Sequence, residues 1–134
     1  MNTEKNRNIV LDFCKHLSAC DVDAMFELFS EKGSWQMVGR NDKFPFGGIY
    51  DRDAAYNQLA TFLSAFDEFE FNVTGVTAEN DRVAIQAIST GRGPGKKQYQ
   101  NRYIMQYCLE GGKIIFIDEF FDPFEVFAYI EMEE

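Results

Sequence analysis

Residues 98–121 read Gln98-Tyr-Gln-Asn-Arg-Tyr-Ile-Met-Gln-Tyr-Cys-Leu-Glu110-Gly-Gly-Lys113-Ile-Ile-Phe-Ile-Asp-Glu-Phe-Phe121. Two long runs rich in aromatic and β-branched residues, Tyr99 to Leu109 and Ile114 to Phe121, flank the pair Gly111-Gly112. That pair is a strong hairpin signal, because both central residues of the favoured two-residue turn need φ > 0. With a two-residue turn Glu110 faces Lys113, Ile104 faces Glu119 and Arg102 faces Phe121. Side chains alternate between faces. One face then carries Gln100, Arg102, Ile104 and Gln106 with Ile115, Ile117, Glu119 and Phe121. The other carries Tyr99, Asn101, Tyr103, Met105 and Tyr107 with Ile114, Phe116, Asp118 and Phe120. Arg102 and Glu119 become diagonal neighbours within reach of each other. A change of one residue in register would reverse these assignments.

Outward from the hairpin, further strands precede it. Phe69 to Val73 alternates, Asn80-Asp81 marks a turn, and Arg82 to Thr90 is the next run. Three helices come first. Ile9, Phe13, Leu17 and Cys20 share a helical stripe from Glu4 to Cys20, with Thr3 as its N-cap. Asp21 caps a second helix that Gly33 ends, and Trp35 to Val38 is a short strand. Asp51 or Asp53 starts a third helix, with Tyr56, Leu59, Ala60, Leu63 and Phe66 inward. Between them Gly39 to Tyr50 is a loop long enough to rim or cover a pocket. Pro123 stops the last strand, and Phe124 to Ile130 closes the chain as a short helix. Helices followed by a meander of strands predict an α+β fold with a curved antiparallel sheet, in a single domain spanning 1–134.

Composition narrows the function classes. The 134 residues hold 22 acidic against 13 basic side chains, a net charge of −9, which argues against a nucleic-acid surface. Seven acids lie between Asp118 and Glu134 without a Lys or Arg, which reads as a solvated acidic tail. Arg92, Lys96 and Lys97 form a basic cluster in a loop. The Gly91-x-Gly-Pro-Gly string there lacks the Lys-Ser/Thr ending of a phosphate loop. Cys14, Cys20 and Cys108 show no CxxC spacing and read as reduced, buried thiols of a cytoplasmic protein. No run is long enough to span a membrane. The single His and the scattered acids offer no metal-ligand spacing, so neither metal nor cofactor is expected. His16 is either a general base at a pocket floor or a half-wet boundary residue. Fourteen Phe, six Tyr and one Trp can line a cavity as readily as fill one.

Several strings resemble the nuclear transport factor 2-like superfamily, and within it the SnoaL-like group. They are Cys20-Asp21-Val22-Asp23-Ala24-Met25, Gly112-Lys113-Ile114 and Asp118-Glu119-Phe120-Phe121-Asp122-Pro123. Gln98-Tyr99-Gln100-Asn101-Arg102-Tyr103 with Glu119-Phe120, Asn6-Arg7 and Glu27-Leu28-Phe29 resemble the phenazine-biosynthesis A/B proteins. The resemblance implies a cone-shaped sheet around a small-molecule pocket, with Glu119 as general acid/base and Arg102 tuning it or binding a carboxylate. A carboxyl in an aromatic cavity stays protonated to higher pH, and a nearby Arg opposes that. The lining set implied is Phe13, Trp35, Met37, Tyr50, Gln58, Phe62, Ile104, Ile117 and Phe121. The chain departs from ketosteroid isomerases, whose tyrosine, base aspartate and second acid fall at Phe13, Met37 and Ile104. It departs from the phenazine proteins at Gln58, where they carry His.

Two expectations follow. One is an isomerase-, cyclase- or condensation-type enzyme acting on a cyclic or aromatic carbonyl compound. The other is a non-catalytic protein that holds an apolar ligand or works as a scaffold. The face with Tyr103, Met105, Tyr107, Phe116 and Phe120 is too apolar for water, so a homodimer through the sheet is expected.

Overall fold

The computed structural model describes residues 2–40 and 42–132. Helices α1 (Thr3–Ser18) and α2 (Val22–Glu27) lead into strands β1 (Phe29–Met37) and β2 (Gly48–Asp51). Helix α3 (Arg52–Leu63), strands β3 (Glu68–Glu79), β4 (Arg82–Arg92), β5 (Gln98–Glu110) and β6 (Lys113–Phe121), and helix α4 (Pro123–Glu131) follow. The strands form one curved, unclosed sheet in the order β2-β1-β6-β5-β4-β3. The sheet is mixed rather than antiparallel, because β1 runs parallel to β6. Its chain passes from β1 by way of β2 and α3 to the far edge, so the last strand returns beside the first.

Local chemistry accounts for the helix starts. The Asp21 carboxylate accepts the Ala24 N–H at 3.1 Å, and that of Asp51 accepts the Ala54 N–H at 2.9 Å. Thr3 is not the expected cap. Its hydroxyl accepts the Asn80 N–H at 3.1 Å and ties α1 to the β3–β4 turn, where Asn80 has φ +55°. The second helix stops at Glu27, before Gly33, since Phe29 to Gly33 are drawn into β1. A Cβ on Gly33 would lie 2.6 Å from the Phe29 ring, so the glycine lets that ring fold across its own strand.

The concave face of the sheet and the helices share one core. β5 alternates without a break: Tyr99, Asn101, Tyr103, Met105, Tyr107 and Leu109 are buried, and their even-numbered neighbours from Gln98 to Gln106 are exposed. Helix α1 lies against β3 and β4, α3 against β1 and β2, and α4 against β5. Phe13, with no exposed surface, meets the rings of Phe26, Trp35 and Tyr107 at centroid distances of 5.9–6.5 Å. Each such side chain contributes about 1.5–3 kcal/mol through burial.

As far as Met132 the acid-rich end is not a free tail; Glu133 and Glu134 lie outside the described residues. Its described part forms the end of β6 and then α4, which Tyr129 anchors by donating to the Ala65 carbonyl at 2.5 Å. Gly93 makes room for that ring, since a Cβ there would sit 2.0 Å from the Tyr129 hydroxyl. In the basic cluster, Arg92 pairs with Glu68 across β3–β4 at 2.6 Å. Cys14 is buried and Cys108 half-buried, but Cys20 is exposed in the link between α1 and α2.

Candidate functional site

The hairpin decides which residues face the concave side. Gly111 and Gly112 have φ +59° and +79°, as a two-residue turn requires, and Glu110 pairs with Lys113 and Leu109 with Ile114. Beyond those two pairs the register slips. Cys108 pairs with Phe116, leaving Ile115 as an extra residue on β6. Every later partner moves by one: Tyr107 opposes Ile117, Met105 opposes Glu119 and Tyr103 opposes Phe121. Ile117, Glu119 and Phe121 therefore join Tyr103, Met105 and Tyr107 on the inner face.

This corrects two expected site residues and one expected surface. Arg102 is exposed on the convex face and makes no ion pair with Glu119. Ile104 is 57% exposed, opposite Phe120. The surface meant to seek a partner is split: Tyr103, Met105 and Tyr107 are buried in the core, whereas Phe116 is half-buried and Phe120 exposed on the convex side. The bulge is the physical reason in each case, because one inserted residue exchanges the two faces of a strand.

A cavity of about 380 Å³ opens on the concave side, a size suited to a small organic ligand. Of the expected residues, Glu119, Trp35, Met37, Tyr50, Gln58, Phe62 and Phe121 line it. Phe13 and Ile117 do not; both have no exposed surface and belong to the core behind it. His16 is half-buried near the end of α1 and does not reach the cavity. Sequence reasoning missed Tyr99, Tyr103, Met105, Phe44, Lys97 and Tyr129 as lining residues. A bulge signal in β6 would have found the inner tyrosines, but nothing in the Ile114-Ile115-Phe116-Ile117 run distinguishes the inserted residue.

The loop after β1 is a wall of this cavity. Phe44, 3% exposed, meets Phe46, Phe121 and Phe127 at centroid distances of 5.4–5.5 Å. Tyr50 donates its hydroxyl to the Phe46 carbonyl at 2.7 Å, so it braces the loop. A Cβ on Gly47 would lie 2.6 Å from the Gly39 carbonyl oxygen, which brings the two ends of the loop together.

Glu119 is the one carboxylic acid among the described residues lining the cavity. It sits on β6 between Met37 of β1 and Met105 of β5. Its Oε1 accepts the Trp35 indole N–H at 2.8 Å, its single hydrogen bond among the described residues. Burial pushes its pKa up from 4.5 to about 7, and the Trp35 hydrogen bond pulls weakly the other way. A carboxyl tuned to neutrality, with one oxygen held and the other unengaged, can give or take a proton at a bound ligand. Among the described residues no group of three or more His, Cys, Asp or Glu is placed to hold a metal ion. No described helix is long and apolar enough to cross a membrane.

Comparison with known proteins agrees with this architecture. UPF0523 protein C of Dictyostelium discoideum is 28% identical over 114 residues, covering 81% of this chain and 73% of that protein. TerC, solved with polyporic acid, superposes with a TM-score of 0.80 at 14% identity, covering 96% of this chain and 99% of TerC. IdmH, a putative polyketide cyclase from Streptomyces antibioticus, gives a TM-score of 0.77 at 14% identity over 95% and 99% of the two chains. At such identities the structural likeness is one of fold. The SnoaL-like domain family matches residues 10–117. A curved sheet closed by helices over a largely apolar cavity is also the fold of an NTF2-like protein from Burkholderia pseudomallei, at a TM-score of 0.81 and 12% identity, and the match across most of the chain makes this protein a member of the SnoaL-like domain family.

Proposed function

We propose that the protein is an enzyme that moves protons on a cyclic or aromatic carbonyl compound, in the manner of an isomerase or cyclase, with Glu119 as the acid/base. The observation that carries this reading is a lone carboxyl, raised to about 7 by burial, facing a largely apolar cavity of about 380 Å³. Near neutral pH both of its protonation states are populated, so it can serve in either direction. As carboxylate, it takes a proton from the carbon beside a carbonyl; the C–H electron pair becomes a C=C bond and the carbonyl π pair moves onto oxygen, which gives an enolate. As acid, it returns the proton to another carbon or to oxygen. Proton transfer alone needs no cofactor. Gln58 would orient the carbonyl with its amide. Arg102, exposed on the opposite face, has no part in this chemistry. The fold likeness to IdmH, described as a putative polyketide cyclase, and to TerC, co-crystallised with polyporic acid, supports a cyclic ligand.

The test is a thermal-shift panel of cyclic keto acids and aromatic ketones, followed by proton exchange in D₂O for each compound that binds. A ligand at a hundred times its Kd adds about 2.7 kcal/mol to stability. Deuterium should enter the position beside the carbonyl, and Glu119→Gln should slow entry by about 100-fold or more. Binding without exchange would favour the second reading, a ligand carrier. That reading draws support from Phe13 and Met37, which cannot titrate where ketosteroid isomerases use an acid or phenol.

The expectation of a homodimer now rests on the convex face, which keeps Phe120 of the expected residues and adds Ile104. We propose that the convex face pairs two copies about a two-fold axis through Ile104 and Phe120, which are opposed in register and 57% and 47% exposed. Sedimentation at micromolar concentration should give the mass of two chains, and Ile104→Glu should give that of one. A single-chain mass for the wild type would end this proposal.

A further inference from the structure

Behind the cavity, β4 and β5 hold a chain of buried polar side chains that proton transfer at Glu119 does not use. Asn101, 2% exposed, is fully satisfied. Its Oδ1 accepts the backbone N–H groups of Arg102 at 2.8 Å and Asp122 at 3.0 Å. Two N–H donors on that oxygen fix the orientation of the amide. Its Nδ2 must therefore be the donor to the Tyr99 hydroxyl at 2.8 Å, as well as to the Asp122 carbonyl at 3.0 Å. From Tyr99 the chain continues through hydroxyls: Tyr99 to Tyr103 at 3.3 Å and Tyr103 to Ser89 at 2.8 Å.

Three hydroxyls in line carry three protons but make two hydrogen bonds with one another. One proton is left over. If it stayed on Ser89, it would be a donor without an acceptor, in a side chain with no exposed surface that does not reach the cavity. An unmet buried donor costs about 1–3 kcal/mol. The arrangement that avoids this has Ser89 donating to Tyr103 and leaves the spare O–H on one of the two tyrosines. Both tyrosines line the cavity. Donation by Asn101 and Ser89 into the pair also strengthens its remaining O–H as a donor.

We propose that the Tyr99–Tyr103 pair presents this spare O–H to the bound ligand, and that the ligand carries an acceptor oxygen there, separate from the centre worked on at Glu119. The inference rests on the cavity being a small-ligand site. Tyr103 stands two residues along β5 from Met105, the register partner of Glu119, a backbone separation of about 7 Å. The ligand class this selects is a ring system with oxygen functions at two separated positions, in place of a plain hydrocarbon or a singly oxygenated ring.

The experiment uses fluorene and fluorenone, which share a tricyclic shape and differ by one carbonyl oxygen. Trp35 is the only tryptophan and lines the cavity, so quenching of its fluorescence reports occupancy. Wild type should prefer fluorenone about tenfold, and the Tyr99→Phe/Tyr103→Phe double variant should bind both alike. A preference kept in the double variant overturns the inference. Equal binding of the two compounds to wild type also overturns it, while leaving the cavity as a ligand site. Failure of both compounds to quench Trp35 overturns the inference and the small-ligand reading together. Should the double variant not fold, the carbonyl stretch of fluorenone bound to wild type at about pH 9 decides, because a carboxylate cannot donate there. Because Gln58 and Lys97 also line the cavity, a stretch lowered in wild type and relaxed in the single variant Tyr99→Phe or Tyr103→Phe supports the tyrosine donor; a stretch that is not lowered, or that both single variants leave unchanged, overturns it.

Discussion

Glu119→Gln should make the folded protein more stable by about 3 kcal/mol at about pH 8 and change it little at about pH 4. The sign follows from the proton count. Burial raises the Glu119 pKa from 4.5 to about 7. Between those values the folded state keeps a proton that the unfolded chain has lost, so wild-type stability is fully present below about 4.5 and falls as the pH rises to about 7. Above that, both states are ionised and the loss is complete. The gap, at about 1.4 kcal/mol per pH unit, amounts to about 3 kcal/mol. Gln is uncharged at every pH and can still accept the Trp35 indole N–H with its carbonyl oxygen. Urea unfolding of both proteins across this range checks the prediction: the variant's advantage over wild type should be near zero at about pH 4 and grow to about 3 kcal/mol by about pH 8. Curves that run parallel would mean that the Glu119 carboxyl is not costly to ionise, and the proposed acid/base would lose its physical basis. The variant that gains stability is also the one expected to lose proton exchange. A site that holds a carboxyl at neutrality does so at the expense of the fold.

Insertion of one alanine after Ile115 should abolish cooperative folding. With the single-residue bulge kept, the longer strand would place Ile117 opposite Gln106, Glu119 opposite Ile104 and Phe121 opposite Arg102 on the convex face, and bring Asp118 and Phe120 inward. Ile117 has no exposed surface, and Phe121 packs against Phe44 and Tyr103. Exposing two such side chains and burying Asp118 costs about 5 kcal/mol or more, a large part of the stability of a domain this size. Far-UV circular dichroism and thermal unfolding would show a missing or strongly lowered transition. Deletion of Ile115 is the control, since it removes the bulge and leaves Cys108 opposite Phe116 and Met105 opposite Glu119, so it should fold cooperatively. An insertion variant that melts like the deletion would mean that the strand absorbs the extra residue in a wider bulge.

Much of the fold is legible in local patterns. The Asp21 and Asp51 caps, the Asn80-Asp81 turn and the Gly111-Gly112 turn each depend on a few adjacent residues, and each stands where its residues predict. The alternation of β5 also survives, although its inward face is the tyrosine-bearing one. The expectations that fail depend on remote partners. The start of β1 at Phe29 depends on parallel pairing with Ile114, from the opposite end of the chain. The Thr3 hydroxyl serves the Asn80 N–H instead of its own helix.

The sequence by itself determined the three leading helices, the long strands, the family and the presence of one carboxylic acid among aromatics near the end of the last strand, but not β2, whose residues 48–50 read as loop, nor the start of β1. Which residues meet that acid was decided only in the tertiary structure. Arg102 and Tyr103 are adjacent in the chain and point to opposite faces, so a single unpaired residue at Ile115 exchanges one for the other as the neighbour of Glu119. The exchange turns an ion-paired carboxylate in solvent into a desolvated carboxyl among methionines and tyrosines. Local sequence cannot encode it, because Ile114, Ile115, Phe116 and Ile117 are alike in size and β-propensity. The bulge is selected by what each register buries: with Ile115 set aside, β6 places Ile117 and Phe121 in the core and leaves Asp118 and Phe120 on the convex side.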